Sequence, residues 1–552
     1  MSTQTTGTGD SRLSRRYRIM WDQNTGHEQY YNPPLSAERA AQSHHGFFEG
    51  RPVDAYVGAI GSNAGYTVDW PTKVPNAEFL VDRLNSGAKV GTVQLWRKAE
   101  NIRRLWEQGA DPIGLQVEES RRLGIDHWFR LSMNDWHHWG AAGTEVNLQA
   151  STFYDSHPEY LIGEEGARGW PEALANILQW FQDWRHEEVR ALRIGLAVEA
   201  CQRYQVDGFV YDFMRCPGYF KFGEEEAGAE IMTQFIRDTR AAFDKLASDS
   251  GHPIGLAVRV PNTVAGATRL GLDVASWVRE SLVDVVVPSC FFAQDTEEDV
   301  AEYVSLAEGT PVRIQPALEE AYLAGHTGSI RRWYLKPPIM APLTNEMLRA
   351  LAARHLAKGA DGLYVFNFFG TATTYDYDNR EALDDMGDLR RLQHKDKCYV
   401  VTRSQDSFPN CLETERQIPC ALSAGPRSIT VDVADDLPAA AHRIRDARLW
   451  IHVDNLSIED EVEVTLNGTT LECQNPMEPE GYDPTNDAWL AYDLRSCLPV
   501  RGINEIGLRL LRRNERLVQD GLEVQVEDVE LWIEYEYPNG RWVRPRSLVP
   551  RT

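Results

Sequence analysis

Tyr204-Gln205-Val206-Asp207-Gly208-Phe209-Val210-Tyr211-Asp212-Phe213-Met214-Arg215 reads as the end of a helix, an Asp-Gly turn, a buried strand, and then an acid and a base where the strand runs out. A strand apolar at Phe209, Val210 and Tyr211 is covered on both faces, as strands of a parallel sheet are. Asp212 then falls at the carboxyl end of that strand, where barrel enzymes keep their chemistry. The plain alternative is a structural ion pair between Asp212 and Arg215 in a loop.

The same pattern recurs outward along the chain. Short apolar runs begin at Arg18-Ile19-Met20-Trp21 and Ala55–Ile60, and continue at Trp128–Met133 and the Asp212 strand. Further runs are Ile254–Val260, Val283–Val287, Val312–Pro316 and Leu363–Asn367. Helical stretches such as Asp111–Leu123, Glu187–Gln205, Glu230–Ser248 and Asn345–Lys358 lie between them. Eight strands alternating with helices predict a (β/α)8 TIM barrel over residues 15–395. Gly124, Gly359 and Asp207-Gly208 are expected to end helices ahead of strands. No strand is followed by G-x-G-x-x-G or G-x-x-x-x-G-K-[ST], so a nucleotide-binding open sheet lacks its phosphate loop.

Near residue 396 the pattern changes to short alternating strands: Ala447–Val453, Val462–Leu466 before Asn467-Gly468, and Val524–Val526. Asn-Gly after such a run signals a hairpin. Glu527–Tyr535 alternates as a half-buried edge strand would. Residues 396–552 are therefore expected to form an antiparallel, jelly-roll-like β-sandwich. That unit could bind sugar, form a homo-oligomer interface or buttress the barrel. Met1–Ser14, polar and without an apolar core, is expected to be a disordered tail rather than an export signal.

Composition narrows the partners. A formal charge of −25 over 552 residues argues against nucleic acid or an anionic membrane surface, and no run of about 18 apolar residues is available to span a bilayer. The 8 cysteines contain no C-x-x-C pair, so neither structural zinc nor a disulfide framework is expected, and reduced thiols in a cytoplasmic protein fit best.

If the barrel forms, one face collects Asp22, Asn134, Asp135, His137, Asp212, Arg215, Arg259, Glu319, Glu320 and Asn367, with Trp136 and Tyr219 among the nearby aromatics. Carboxylates beside flat rings suit a carbohydrate, because rings stack on sugar faces while carboxylates and amides take hydroxyls. Glycoside cleavage needs one protonated and one ionised carboxyl group. Asp212 is the candidate for the ionised one, with Arg215 holding it charged. Glu320, Glu319 or Asp135 would be the acid, and adjacent Glu319 and Glu320 cannot both face the cleft. Asp22, Arg130, Asn134, Trp136, His137, Arg215, Tyr219, Arg259 and Asn367 are the expected substrate contacts. Three arginines, Arg130, Arg215 and Arg259, suggest a uronic or sulfated sugar. Met133–His138 invites a metal, but His137 and His138 are adjacent and the spacing matches no established site; no metal or cofactor is expected.

Several of these strings together resemble a family, the bacterial family 10-like glycosyl hydrolases. The resemblance rests on Leu131–His137, His157–Leu161 with His186–Arg190, Val206–Arg215, Ala257–Pro261 and Gly359–Phe368. It implies a (β/α)8 barrel acting on glycans with Asp212 in the active site. The chain departs from that family at His138, where an acid is usual, and in lacking a secretion signal. Both departures favour a cytoplasmic enzyme on imported oligosaccharides. The alternatives are a non-catalytic carbohydrate-binding protein and a barrel lyase or isomerase using Asp135 or His137.

Overall fold

The computed structural model describes residues 12–13, 15–23, 27–42, 45–61, 66–135, 137, 147–291, 293–296, 299–325, 339–367, 379–403, 416–423, 425–474 and 487–536. Nine strands form one curled parallel sheet: β1 (Ile19–Gln23), β2 (Ala55–Ala59), β3 (Asp126–Ser132), β4 (Gly208–Asp212), β5 (Gly255–Pro261), β6 (Val285–Ser289), β7 (Arg313–Ile314), β8 (Ala317–Leu318) and β9 (Leu363–Phe366). Their order is β8-β9-β1-β2-β3-β4-β5-β6-β7. The two end strands are thus separated in the chain by Gln315 and Pro316 alone. Gln315 N–H donates to Val286 O, and Tyr364 N–H donates to Pro316 O. One passage of chain, Arg313–Leu318, therefore bonds β6 with its first half and β9 with its second. Pro316, which has no N–H to donate, marks the break.

Side chains alternate across the sheet with period two. Met20, Val57, Trp128, Val210, Ala257, Val285, Ala317 and Tyr364 point to one side and form one apolar cluster. Phe129, Leu131, Phe209, Tyr211, Leu256 and Val258 point to the other, against α1 (Pro112–Leu123), α2 (Glu187–Tyr204) and α3 (Glu225–Ser250). Asp111 caps α1, accepting from Ile113 N and Gly114 N at 3.1 Å, and Gly124 closes it at φ 70°. The end of α2 differs from the sequence expectation. Its left-handed cap is Gln205 at φ 49°, not the Asp207-Gly208 pair. Gly208 serves packing instead, since a Cβ there would lie 2.4 Å from Trp128 Cε3. Packing also begins inside the stretch read as a tail, because Leu13 is buried in the cluster with Trp128.

From Lys397 onward the sheets are antiparallel. One orders β10 (Lys397–Val401), β18 (Gln525–Tyr535), β13 (Ile444–Asp454) and β16 (Asp487–Asp493), with β11 (Cys420–Ala421) also on β18. The other orders β12 (Arg427–Val433), β17 (Gly502–Arg512), β14 (Glu461–Leu466) and β15 (Thr469–Thr470). Asn467 and Gly468, at φ 49° and 80°, make the two-residue turn between β14 and β15. Val524–Val526 and Glu527–Tyr535 are not separate elements: all but Val524 belong to β18, which is an interior strand rather than an edge. Buried side chains of both sheets share one cluster.

Cys398 and Val400 of β10 pack against Ile19, Trp21 and helix α4 (Asn345–Ala357). Thr296 and Thr402 exchange N–H to Oγ1 hydrogen bonds at 3.0 Å, and Lys358 Nζ meets Asp432 at 2.7 Å. Cys201, Cys398, Cys420 and Cys497 carry free thiols. Among the described residues no helix is long and apolar enough to cross a membrane.

Candidate active site at the carboxyl ends of the parallel strands

The inward positions that are apolar low in the sheet become charged at the carboxyl ends of the strands. Met20 is followed by Asp22, Trp128 by Arg130 and Ser132, Val210 by Asp212, Ala257 by Arg259, Val287 by Ser289, and Ala317 by Glu319. The charged members form a chain of alternating sign. Arg130 puts Nε on Asp22 at 2.9 Å and Nη1 on Asp212 at 3.1 Å. Arg259 puts Nη1 on Asp212 at 3.2 Å and Nη2 on Glu319 at 2.6 Å. Phe366 lies beneath both guanidiniums, with Arg259 Cζ 3.5 Å and Arg130 Cζ 5.3 Å from its centroid, a cation–π arrangement.

All five ionisable groups are buried, none more than 2% exposed. Burial therefore dominates their electrostatics. It pushes Glu319 up to about 7, with the Asp212 charge adding to the rise and Arg259 and Ser289 opposing it. Burial likewise raises Asp22, against the pull of Arg130 and the hydrogen bond donated by Tyr364. Arg130 and Arg259 lose solvation, but the acids between them raise both overall.

Asp212 Oδ1 also accepts from the backbone N–H groups of Met214 and Arg215, at 2.9 and 3.0 Å. The expected Asp212–Arg215 side-chain pair is thus not formed; the cations on Asp212 are Arg130 and Arg259. The Arg215 guanidinium instead donates to His137 Nε2 at 3.2 Å. His137 Nδ1 sits 2.5 Å from Asp135 Oδ1. Because arginine can only donate, Nε2 is the acceptor and the ring proton lies on Nδ1, facing Asp135. The His137 side chain is 42% exposed while Asp135 is buried, so this second group faces outward.

The remaining expected contacts fall elsewhere. Asn134 ties two loops, donating to Gly218 O at 2.7 Å and accepting from Gln182 N at 3.2 Å. Tyr219 donates its hydroxyl to Phe213 O and packs against Trp184. Trp21, Phe220 and Tyr322, further aromatics near the strand ends, lie in hydrophobic clusters. Glu320 is buried at a bend beyond the end of β8, and it is Glu319 that meets Arg259. Asn367 holds a left-handed φ of 54° as β9 ends, its N–H on Asp22 O, and its Oδ1 has no hydrogen-bond partner among the described residues. Such strain concentrates at functional sites. Trp136 and His138 lie outside the described residues. Sequence reading missed Tyr364, Phe366 and Gln294, whose Oε1 accepts from Glu319 N at 3.0 Å. Counting by twos along β9 from Asp22's partner Phe366 would have found the first two.

No family model matches the chain, the family suggested by its motifs included, and no curated protein matches it in sequence. Solved structures align with the chain at low similarity. A cycloisomaltooligosaccharide glucanotransferase from Paenibacillus sp. is 10% identical at TM-score 0.32, covering 96% of this chain. This chain spans 58% of that enzyme's length. An alpha-amylase from Lactobacillus plantarum is 9% identical at TM-score 0.38, covering 89% of this chain and 98% of its own. A tryptophan synthase from M. tuberculosis is 12% identical at TM-score 0.30, covering 68% and 94%. Scores this low carry no argument about reaction or substrate, and the functional reading rests on the side chains.

Proposed function

We propose that the protein is a glycoside hydrolase in which Glu319 is the general acid and Asp212 the nucleophile or base. The parallel sheet would close as a (β/α)8 barrel through Arg313–Leu318, and the antiparallel sheets would form a sandwich that buttresses it. The observation that carries the reading is Arg259, which holds Asp212 and Glu319 on one guanidinium while their surroundings differ. Glycoside cleavage asks for one protonated and one ionised carboxyl group. Glu319, raised to about 7, keeps a proton near neutral pH and can give it up. Asp212 lies between two guanidiniums that compensate its negative charge. His137 and Arg215, at the outward side, would meet the hydroxyls or the acid group of a uronic or sulfated sugar.

The test is product release from a panel of neutral, uronic and sulfated oligosaccharides. Asp212→Asn and Glu319→Gln should each lower turnover by roughly 10²–10⁴-fold while remaining folded. A wild type that cleaves nothing in the panel, or variants that cleave as well as it does, would overturn the assignment. The burial of all five charges favours a second reading, a carbohydrate-binding protein in which the ion chain only stiffens the core. Glycan binding without cleavage, retained by both variants, is its signature.

A further inference from the structure

Seven arginines are buried among the described residues, and four of them meet buried acids. Arg130 and Arg259 hold the active-site carboxylates, Arg240 meets Asp284 at 3.0 Å, and Arg349 meets Asp385 at 3.0 Å. Arg215 meets His137 and Arg354 meets a backbone carbonyl, whereas Arg193 in α2 is left with less. It is 0% exposed, and among the described residues no carboxylate lies within ion-pair distance of it. One hydrogen bond leaves its guanidinium, from Nη2 to Gln182 Oε1 at 2.6 Å, and Cζ stands 5.2 Å from the centroid of the Tyr66 ring. Among the described residues Nε and Nη1 have no hydrogen-bond partner.

A buried cation with unsatisfied donors is among the costliest arrangements a fold can hold, and such groups are met by an ion or an acceptor. Burial depresses Arg193 to about 10, opposed only by the Tyr66 and Tyr211 hydroxyls, so the side chain is still charged at neutral pH. Gln182, which orients it, is pinned through its backbone to Asn134 at the end of β3. The position therefore adjoins the candidate active site without being part of its ion chain.

We propose that Arg193 is the cationic wall of an internal anion-binding site that takes a compact monoanion, either a halide or the carboxylate of a sugar acid. The site is independent of the hydrolase reading. Full-length protein would be crystallised and soaked in sodium bromide, and its melting temperature followed in bromide and in D-glucuronate at constant ionic strength. An anomalous bromide peak at hydrogen-bond distance from Nη1 or Nε is expected, with a melting temperature that rises with bromide. Arg193→Gln should lose both. Stabilisation by glucuronate that also displaces bromide assigns the site to the sugar acid; bromide alone assigns it to the inorganic ion. Asp212→Asn should keep the anion response, which separates this site from the catalytic proposal. No bromide at Arg193 together with no stabilisation by glucuronate overturns the inference, and the wild-type crystal decides this even if the variant does not fold. A bromide peak unaccompanied by any stabilisation that Arg193→Gln removes would be an adventitious ion only, and overturns it equally.

Discussion

Under the proposed function, Glu319 would link folding and turnover through one proton. Its carboxyl group is raised from 4.5 to about 7 by burial, so the folded protein binds a proton that the unfolded chain has released. The sign follows from linkage: the group's stabilising contribution is complete below about 4.5, declines as pH rises, and is gone above about 7. The amount is on the order of 3 kcal/mol. Glu319→Gln, which stays neutral, should flatten the dependence of melting temperature on pH between roughly 5 and 8, measurable by calorimetry. A steeper dependence in the variant would contradict the burial argument. The same titration should give kcat/KM a basic limb near neutrality if Glu319 is the acid; a profile level through that range would move the acid elsewhere. Arg259 is the other residue on which much turns, because two carboxylates depend on it. Arg259→Met leaves both short of a cation and should cost about 3–5 kcal/mol in urea unfolding. A loss under about 1 kcal/mol would show that the pairs contribute little.

At the scale of elements, β4 is set by its first residue. Gly208 leaves room for the Trp128 indole, and a Cβ would meet the ring at 2.4 Å. Gly208→Ala should therefore destabilise by about 1–3 kcal/mol, and turnover should fall with it because Asp212 ends the same strand; unchanged melting temperature and rate would refute this. The eight strand passages were legible in sequence because strands buried on both faces read as short unbroken apolar runs. The partners of Asp212 were not. Arg215 is three residues away and looks like the natural cation, whereas Arg259 and Arg130 are 47 and 82 residues distant. Only the sheet register, which sets Asp212 beside Arg259 and Ser132, brings them together. The place of β18 was hidden for a related reason. Alternation reports which face of a strand is covered, not whether both of its edges are paired.

At the scale of the whole molecule, the parallel and antiparallel parts meet along α4. Beside the Thr296–Thr402 exchange and the Lys358–Asp432 pair lies a cavity of about 340 Å³, lined by Leu351, Arg354, Tyr399, Val431 and Ile503 among others. Gly325 N–H also donates to Asp528 of β18 at 2.8 Å. Buried polar links of this kind couple the two parts, so thermal unfolding should be a single transition with matching calorimetric and van't Hoff enthalpies. Thr402→Val removes the acceptor for Thr296 N–H and should cost about 1–3 kcal/mol. Two resolved transitions in the wild type would show that the parts unfold independently.

The Glu319-Glu320 doublet has a consequence for descent. The first glutamate reaches Arg259, while the second follows at a bend beyond the end of β8. Loss of one residue within Gln315–Leu318 would slide the second into that position with no exchange of side-chain type. A lineage could in this way pass the role from one glutamate to its neighbour, and a column-by-column alignment would report a replaced catalytic residue where the chemistry had stayed the same.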